Sequence, residues 1–311
     1  LNALTVEKNA MNKIIVKLNP DTPPTGSDLS VVNAARRSFN TRSDWDKVIL
    51  SHQEFEENES KYSDWQLVDS FYEPYSGYEL RKLKDKDKRL IEFLARGMTA
   101  VDFEQFKLDA GGKGLDWLYH MDNNKEQELI DLLWQWRNTP THDTPFNHTF
   151  ISFEVKAPIF VRAQLVKHEY LIMSEFSRRY ITDDIEFYHH EYREAAKNKK
   201  QGSGGKHPLW NHGVGTGYME EVYEHYDNSM GLYLKMVEDG VAPEEARGVL
   251  PQDTMTEWTW SGTLGAFAKA CTLRLHPDAQ YESKLVMQQV YNYLKEFFPV
   301  SAKALVYGPD V

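Results

Sequence analysis

From Phe150 the chain alternates: Ile151, Phe153, Val155 and Ala157 are apolar, while Ser152, Glu154 and Lys156 are polar. A period of two predicts a half-buried strand. Pro158 suits the first turn of a helix, and Ile159, Phe160, Ala163, Val166 and Tyr170 follow at helical spacing. On that expected helix Gln164, Lys167, His168, Leu171 and Glu175 share one face. A polar stripe of this kind either faces solvent or lines a site.

Other segments are simpler. Ile14, Ile15, Val16 and Leu18 read as a short strand, followed by a turn at Pro23-Pro24-Thr25-Gly26. Ser27 and Asp28 stand where a helix N-cap is expected, for a helix through Leu29, Val32, Ala35 and Arg36 that ends near Phe39. Residues 41–130 are charged and aromatic with a mixed pattern. Helical spacing shows at Ile91, Phe93 and Leu94 and again at Leu129, Ile130, Leu133 and Trp134, with a loop at Gly111–Gly114. Residues 196–217, rich in Lys, Gly and Asn, read as a mobile loop. Within it Gly202-Ser203-Gly204-Gly205-Lys206 is not a phosphate loop, since His207 replaces the required Ser or Thr and no strand is expected before it. Helices are expected over 218–239, from Pro243 until Pro251 stops it, over 262–275, and over 278–298. The last has an apolar stripe of Val286, Val290, Leu294 and Phe297. The pattern as a whole is mixed α and β with a helical C-terminal half.

Composition narrows the function classes. Apolar residues make up 41% of the 311, with 8 Trp, 17 Tyr and 15 Phe, enough to build a core. The net charge of −11 excludes a nucleic-acid-coating surface but allows a local basic pocket for a phosphorylated small molecule. No run reaches the roughly 18–20 apolar residues of a membrane span, so no membrane partner is expected. Cys271 is the single cysteine, so no intramolecular disulfide is possible and a reducing, cytoplasmic setting is expected. The sequence opens on Leu1, and Met11 is a candidate natural start. His142, His148, His189, His190, His207 and His212 match no standard zinc spacing, and no metal is expected.

Three blocks carry a family resemblance. The first is His142-Asp143-Thr144-Pro145-Phe146-Asn147-His148. The second runs from Lys156-Ala157-Pro158 through Lys167-His168-Glu169 to Ser177-Arg178-Arg179-Tyr180. The third is Ala246-Arg247-Gly248-Val249-Leu250-Pro251, continued by Leu273-Arg274 and Ala279-Gln280-Tyr281-Glu282. In order and spacing they resemble the flavin-dependent thymidylate synthases, whose motifs read H-E-T-P-F-E-H, R-H-R followed by S-G-R-Y, A-R-x-x-L-P, L-R and A-Q-W-E. A fainter match lies at Ala34–Phe39. The resemblance implies an α+β fold, an antiparallel sheet flanked by helices, in one domain over 1–311. Segment 41–130 would be a mainly helical insertion within it. The resemblance further implies a homotetramer with active sites shared between subunits.

The chemistry so implied is methylation of dUMP to dTMP. Methylenetetrahydrofolate would be the carbon donor, FAD the hydride carrier and NADPH the reductant. Cys271, in the apolar run Ala270–Leu273, lacks the setting of a nucleophile and is expected to be a small buried side chain. Arg274 matches the catalytic position, where a permanent cation beside the ring would stabilise its anion. A cation compensating a helix C-terminus is the alternative. For dUMP the resemblance names Gln164, Lys167, Glu175, Ser177, Arg178, Arg179, Arg247 and Arg274. Ser177–Arg179 would come from a neighbouring subunit, or else form a solvated basic turn, and Arg247 would otherwise pair with Glu244. For FAD it names His142, Thr144, Lys167, His168, Glu169, Glu175, Thr263, Gly265 and Lys269.

Several of these depart from the family pattern. R-H-R is Lys167-His168-Glu169 here, and the flavin-side Asn, Arg and Asn are Thr263, Gly265 and Lys269. Arg178 replaces the Gly of S-G-R-Y. Glu169 and Gly265 remove positive charge and Arg178 and Lys269 return it, so the pocket's charge is rearranged, with an altered FAD pose or reaction as the expected result. The competing readings are a pyrimidine-nucleotide carbon-5 hydroxymethylase on the same scaffold, and a degenerate nucleotide-binding or interaction subunit.

Overall fold

The computed structural model describes residues 14–71, 77–96, 142–177, 185–196, 203–207, 218–276 and 278–306. Contacts divide the chain into two compact units, each assembled from separate stretches of sequence.

The first unit comprises residues up to Pro24 and Phe150–Tyr293. Its centre is a four-stranded sheet made of β1 (Ile15–Leu18), β5 (Ile151–Pro158), β9 (Met255–Gly262) and β6 (Leu171–Glu175), in that spatial order. Every pairing is antiparallel, with Val16 opposite Val155, Phe153 opposite Trp260 and Leu171 opposite Gly262. The expected strands at 14–18 and 151–157 are both present. On one face Phe153, Trp258 and Trp260 are buried, and large cross-strand pairs of this kind are the unit of sheet stability. Helix α7 (Leu264–Arg274) lays Phe267 edge-on to Phe153 and Trp260, at 5.1 and 5.3 Å between ring centroids. Cys271, on the same helix, is fully buried, and burial raises its thiol pKa. It is the inert side chain expected. Helix α8 (Tyr281–Phe297) adds Val286, Met287 and Val290 to this core.

One expectation fails between 159 and 175. The helix α4 (Ile159–Leu165) ends after seven residues, and a turn at 166–170 leads into strand β6. Tyr170 takes a left-handed φ of 64° to make that turn. Gly262 admits the close approach, since a Cβ there would lie 2.5 Å from Leu171 Cδ2. The physical reason is the open edge of β9, whose backbone donors and acceptors need partners. Five residues of β6 supply them and override the helical spacing of Val166 and Tyr170. Glu175 therefore stands on a strand and shares no helix face with Gln164 and Lys167.

The rest of this unit matches the sequence more closely. Helix α5 (Met219–Glu238) buries Tyr226, Ser229 and Tyr233, and α6 (Pro243–Ala246) passes into a 3-10 turn at Arg247–Val249 before Pro251. In the segment expected to be a loop, β8 (Ser203–Lys206) pairs with β7 (Arg193–Ala195). A strand thus does precede the glycine-rich run, and part of that run is itself a strand.

The second unit comprises Thr25–Thr149 and Leu294–Pro309. It holds α1 (Asp28–Arg36), capped at Ser27 and continued by a 3-10 turn to Phe39, as expected. Within the insertion, β2 (Asp46–Ser51), β4 (Gly77–Lys82) and β3 (Gln66–Phe71) form a three-stranded antiparallel sheet, with a short α2 (His52–Glu57) after β2. Helical character appears at α3 (Asp85–Arg96), where Ile91 and Leu94 are buried. The described part of the insertion is therefore a three-stranded sheet with short helical turns up to Lys82, and helix from Asp85. The Gly111–Gly114 loop and the Leu129–Trp134 helix lie outside the described residues. Helix α9 (Pro299–Leu305) packs on α3, and the buried Asp28 accepts from the backbone N–H of Val300 and Ser301, each at 2.9 Å.

Among the described residues, no helix is long and apolar enough to cross a membrane.

Candidate active site

A cleft of about 630 Å³ opens in the first unit. Polar groups reach it from the end of α4 with the turn after it, from the C-terminus of α7 with the start of α8, and from the segment 190–193 leading into β7, with Ser203 of β8 beside it.

Arg274 is the last residue of α7 and lines the cleft. Its Nε donates to His168 Nε2 at 3.0 Å, and an Nη donates to the Gln164 carbonyl at 3.2 Å. Among the described residues no carboxylate meets this guanidinium. Burial lowers its pKa from the ordinary value, but an arginine stays charged across any accessible pH. A cation held by two neutral acceptors, with donors to spare, is suited to stabilising an anion placed in the cleft.

His168 completes that arrangement. To accept from Arg274, its Nε2 must be unprotonated. Burial first, and the Arg274 charge second, push its pKa down to about 4. The imidazole is therefore neutral near pH 7, and the turn after α4 presents it as an acceptor. Gln164, on the last turn of α4, is held by side-chain contacts to Gln280 and to Ser283, whose hydroxyl donates to Gln164 Oε1 at 3.2 Å. Lys167 lies exposed at the cleft's edge.

The third wall was not read from the sequence as a substrate wall. His190 Nε2 and Tyr226 Oη both reach Asp253, each at 2.7 Å, and His190 stacks between Phe160 and Tyr192. Those contacts hold Asp253 below the usual carboxylate range against the opposing effect of burial. Glu282, almost fully buried, lies 3.9 Å from His190 Nδ1 and 3.6 Å from an Nη of Arg193. In the sequence His190 stands out only as a candidate metal ligand, and no motif marks Arg193. The dense aromatic and polar run Tyr188–Arg193 was the signal available.

Other predicted residues sit elsewhere. Glu175 is engaged by Arg162 at 2.6 Å and by the Thr256 hydroxyl at 3.1 Å. Arg247 is exposed, with its Nε on the Glu244 carbonyl at 3.2 Å. Thr263 caps α7, accepting from Ala266 N–H, and Gly265 is buried in the first turn while Lys269 is exposed. Glu169 is exposed in the 166–170 turn, and Ser177 follows β6, half-buried. Arg178 and Arg179 lie outside the described residues. His142 and Thr144 belong to the second unit, both exposed, with His142 stacked on Phe93 at 5.9 Å.

Comparisons with known proteins agree with the sequence blocks. The family described as thymidylate synthase complementing protein matches residues 22–300. A flavin-dependent thymidylate synthase of Thermus thermophilus is 35% identical over 178 residues, which is 57% of this chain and 62% of that enzyme. The match thus spans less than two thirds of the relative's own length. Another, from Wolbachia pipientis wMel, is 33% identical over 237 residues, 74% of this chain and 77% of the relative. Among solved structures, the UMP/dUMP methylase PolB from Streptomyces cacaoi, bound with 5-Br dUMP, is similar with a TM-score of 0.56. The likeness covers 94% of this chain and 95% of that one at 20% identity, and so concerns the fold.

Proposed function

The chain belongs to the flavin-dependent thymidylate synthase family, and on that footing we propose that it methylates carbon 5 of dUMP to give dTMP. Methylenetetrahydrofolate would supply the carbon, FAD the hydride and NADPH the reducing equivalents.

The observation that carries this reading is Arg274 in the cleft, fixed by His168 and the Gln164 carbonyl and meeting no carboxylate among the described residues. A guanidinium beside a uracil oxygen and ring nitrogen 3 favours the ring's anionic form, which makes carbon 5 nucleophilic without an enzyme thiolate. Cys271 is buried and its thiol pKa is raised, which supports a route that does not use it. Gln164, oriented by Ser283 and Gln280, offers the base an amide at the same wall.

A flavin dinucleotide needs donors for its two phosphates. Lys167 and Lys269 present exposed ammonium groups at matched positions, against the exposed carboxylate of Glu169, while that of Glu175 is engaged by Arg162. The donor set fits the group on charge. Lys167 and Lys269 would hold it, with His168 and Glu169 in the adjoining turn, and the bound flavin would supply the hydride chemistry. Arg247 would meet the nucleotide phosphate, and Ser177–Arg179 would reach it from a neighbouring subunit of a homotetramer.

The test is product identification by mass spectrometry after the purified chain is supplied with dUMP, methylenetetrahydrofolate, NADPH and FAD. Thymidylate is expected. A 5-hydroxymethyl product would transfer the assignment to the hydroxymethylase alternative. A chain that takes up no flavin and leaves dUMP unchanged would overturn the enzyme reading.

A further inference from the structure

Arg193 differs from Arg36 and Arg162, two other half-buried arginines, in lacking a bonded acid. Arg36 meets Asp87 at 2.5 Å and Arg162 meets Glu175 at 2.6 Å, each a direct charge-assisted bond. Arg193 is more buried than either, with a side chain 16% exposed, yet its nearest carboxylate is Glu282 at 3.6 Å, beyond bonding distance. Among the described residues its guanidinium makes no hydrogen bond. What holds it is Tyr281, whose ring centroid lies 3.5 Å from the guanidinium carbon, and the β7–β8 pairing that sets Arg193 opposite Lys206.

A half-buried guanidinium offers five N–H donors to an acceptor placed beside it. These donors line the same cleft as Arg274. Lys167 also lines it and makes no hydrogen bond or ion pair among the described residues. Of the acids at this wall, Glu191 is turned to Lys206 at 2.8 Å, and Glu282 is shared between Arg193 and His190 without bonding either closely. Bidentate recognition of a phosphate runs through the N–H edge of a guanidinium, which contact with a ring face does not cover.

We propose that Arg193, held against the Tyr281 ring and assisted by Lys167, forms a phosphate-ester subsite in the cleft that contains Arg274. The subsite rests on the functional reading above only for the identity of its ligand. The phosphate belongs either to the nucleotide substrate or to the flavin dinucleotide.

Calorimetry on the full chain with inorganic phosphate, dUMP and deoxyuridine, together with flavin retention read by visible absorption, distinguishes the sources. For Arg193→Gln, phosphate and dUMP affinity are expected to fall about ten- to hundredfold, with deoxyuridine and flavin binding unchanged. Loss of flavin retention with dUMP affinity intact would assign the same subsite to the dinucleotide. Unchanged binding of all three phosphate ligands would overturn the proposal, as would an equal loss for deoxyuridine and dUMP. If Arg193→Gln fails to fold, Arg193→Lys and Tyr281→Leu serve instead. Both are expected to weaken phosphate binding, and wild-type affinity in both would sink the subsite. A wild-type chain that binds inorganic phosphate but not dUMP would refute the proposed function while leaving the subsite standing.

Discussion

Two arginine clusters, one in each unit, show how a structural charge differs from one poised for chemistry. In the second unit the side chain of Asp87 is fully buried, and both Arg36 and the Ser43 hydroxyl bond to it. Cation meets anion and little bonding capacity is left over. In the first unit Arg274 is held by a neutral imidazole and a backbone carbonyl, so its charge is oriented but not neutralised. The first arrangement locks an interior. The second leaves a positive potential directed at a cleft.

Arg274→Gln should break the comparison most visibly. Turnover is expected to fall about 100- to 1000-fold, the range for loss of a preorganised electrostatic donor. The thermal midpoint should stay close to wild type, because no buried carboxylate loses its partner. Steady-state kinetics beside a melting curve would check both halves. A large drop in midpoint would show that Arg274 is a structural cation like Arg36.

Asp87→Ala should do the reverse. Removing the carboxylate strands Arg36 and Ser43 in a buried setting, at a cost of about 3–5 kcal/mol. A chemical denaturation midpoint would report that loss. An unchanged midpoint would mean that the Arg36 pair contributes nothing net.

The smallest effect concerns pH and sharpens the account of Arg274. The pKa of His168 lies near 4 when folded and at its ordinary 6.5 when unfolded. Below pH 6.5 the unfolded chain takes up a proton that the folded chain refuses. The contribution of this site to stability is therefore complete above pH 6.5 and is lost progressively as the pH falls to about 4. His168→Asn, which keeps a neutral acceptor, should flatten stability across that window. An unchanged acid slope in the variant would show that His168 titrates normally and does not hold Arg274 as a neutral base.

Several parts of the site were readable from the chain. The family resemblance names Arg274, Gln164, Lys167 and His168; the structure sets the first three along one cleft and bonds His168 to Arg274. The helices over 219–238, 264–274 and 281–297 follow their apolar periodicity closely. Strand β9 was overlooked, although Thr256, Trp258 and Trp260 alternate with polar neighbours as a strand should. Strand β6 has the look of helix in the sequence because Val166 and Tyr170 continue the spacing of α4. Local periodicity carries no information about an unpaired strand edge nearly a hundred residues away in sequence, and that edge decided the outcome.

The same limit separates the two walls of the cleft. Residue type, order and spacing determined that this chain carries an arginine at the end of a predicted helix, a cysteine in an apolar run, and the helices that frame the cleft. Those properties are written in short stretches whose chemistry does not depend on distant partners. Only the tertiary structure decided that Arg193 would lie against Tyr281 without a bonded acid, that His168 would be a neutral acceptor, and that Glu175 would be engaged by Arg162. Each depends on which groups from remote parts of the chain share a few ångströms, and on how much water remains between them.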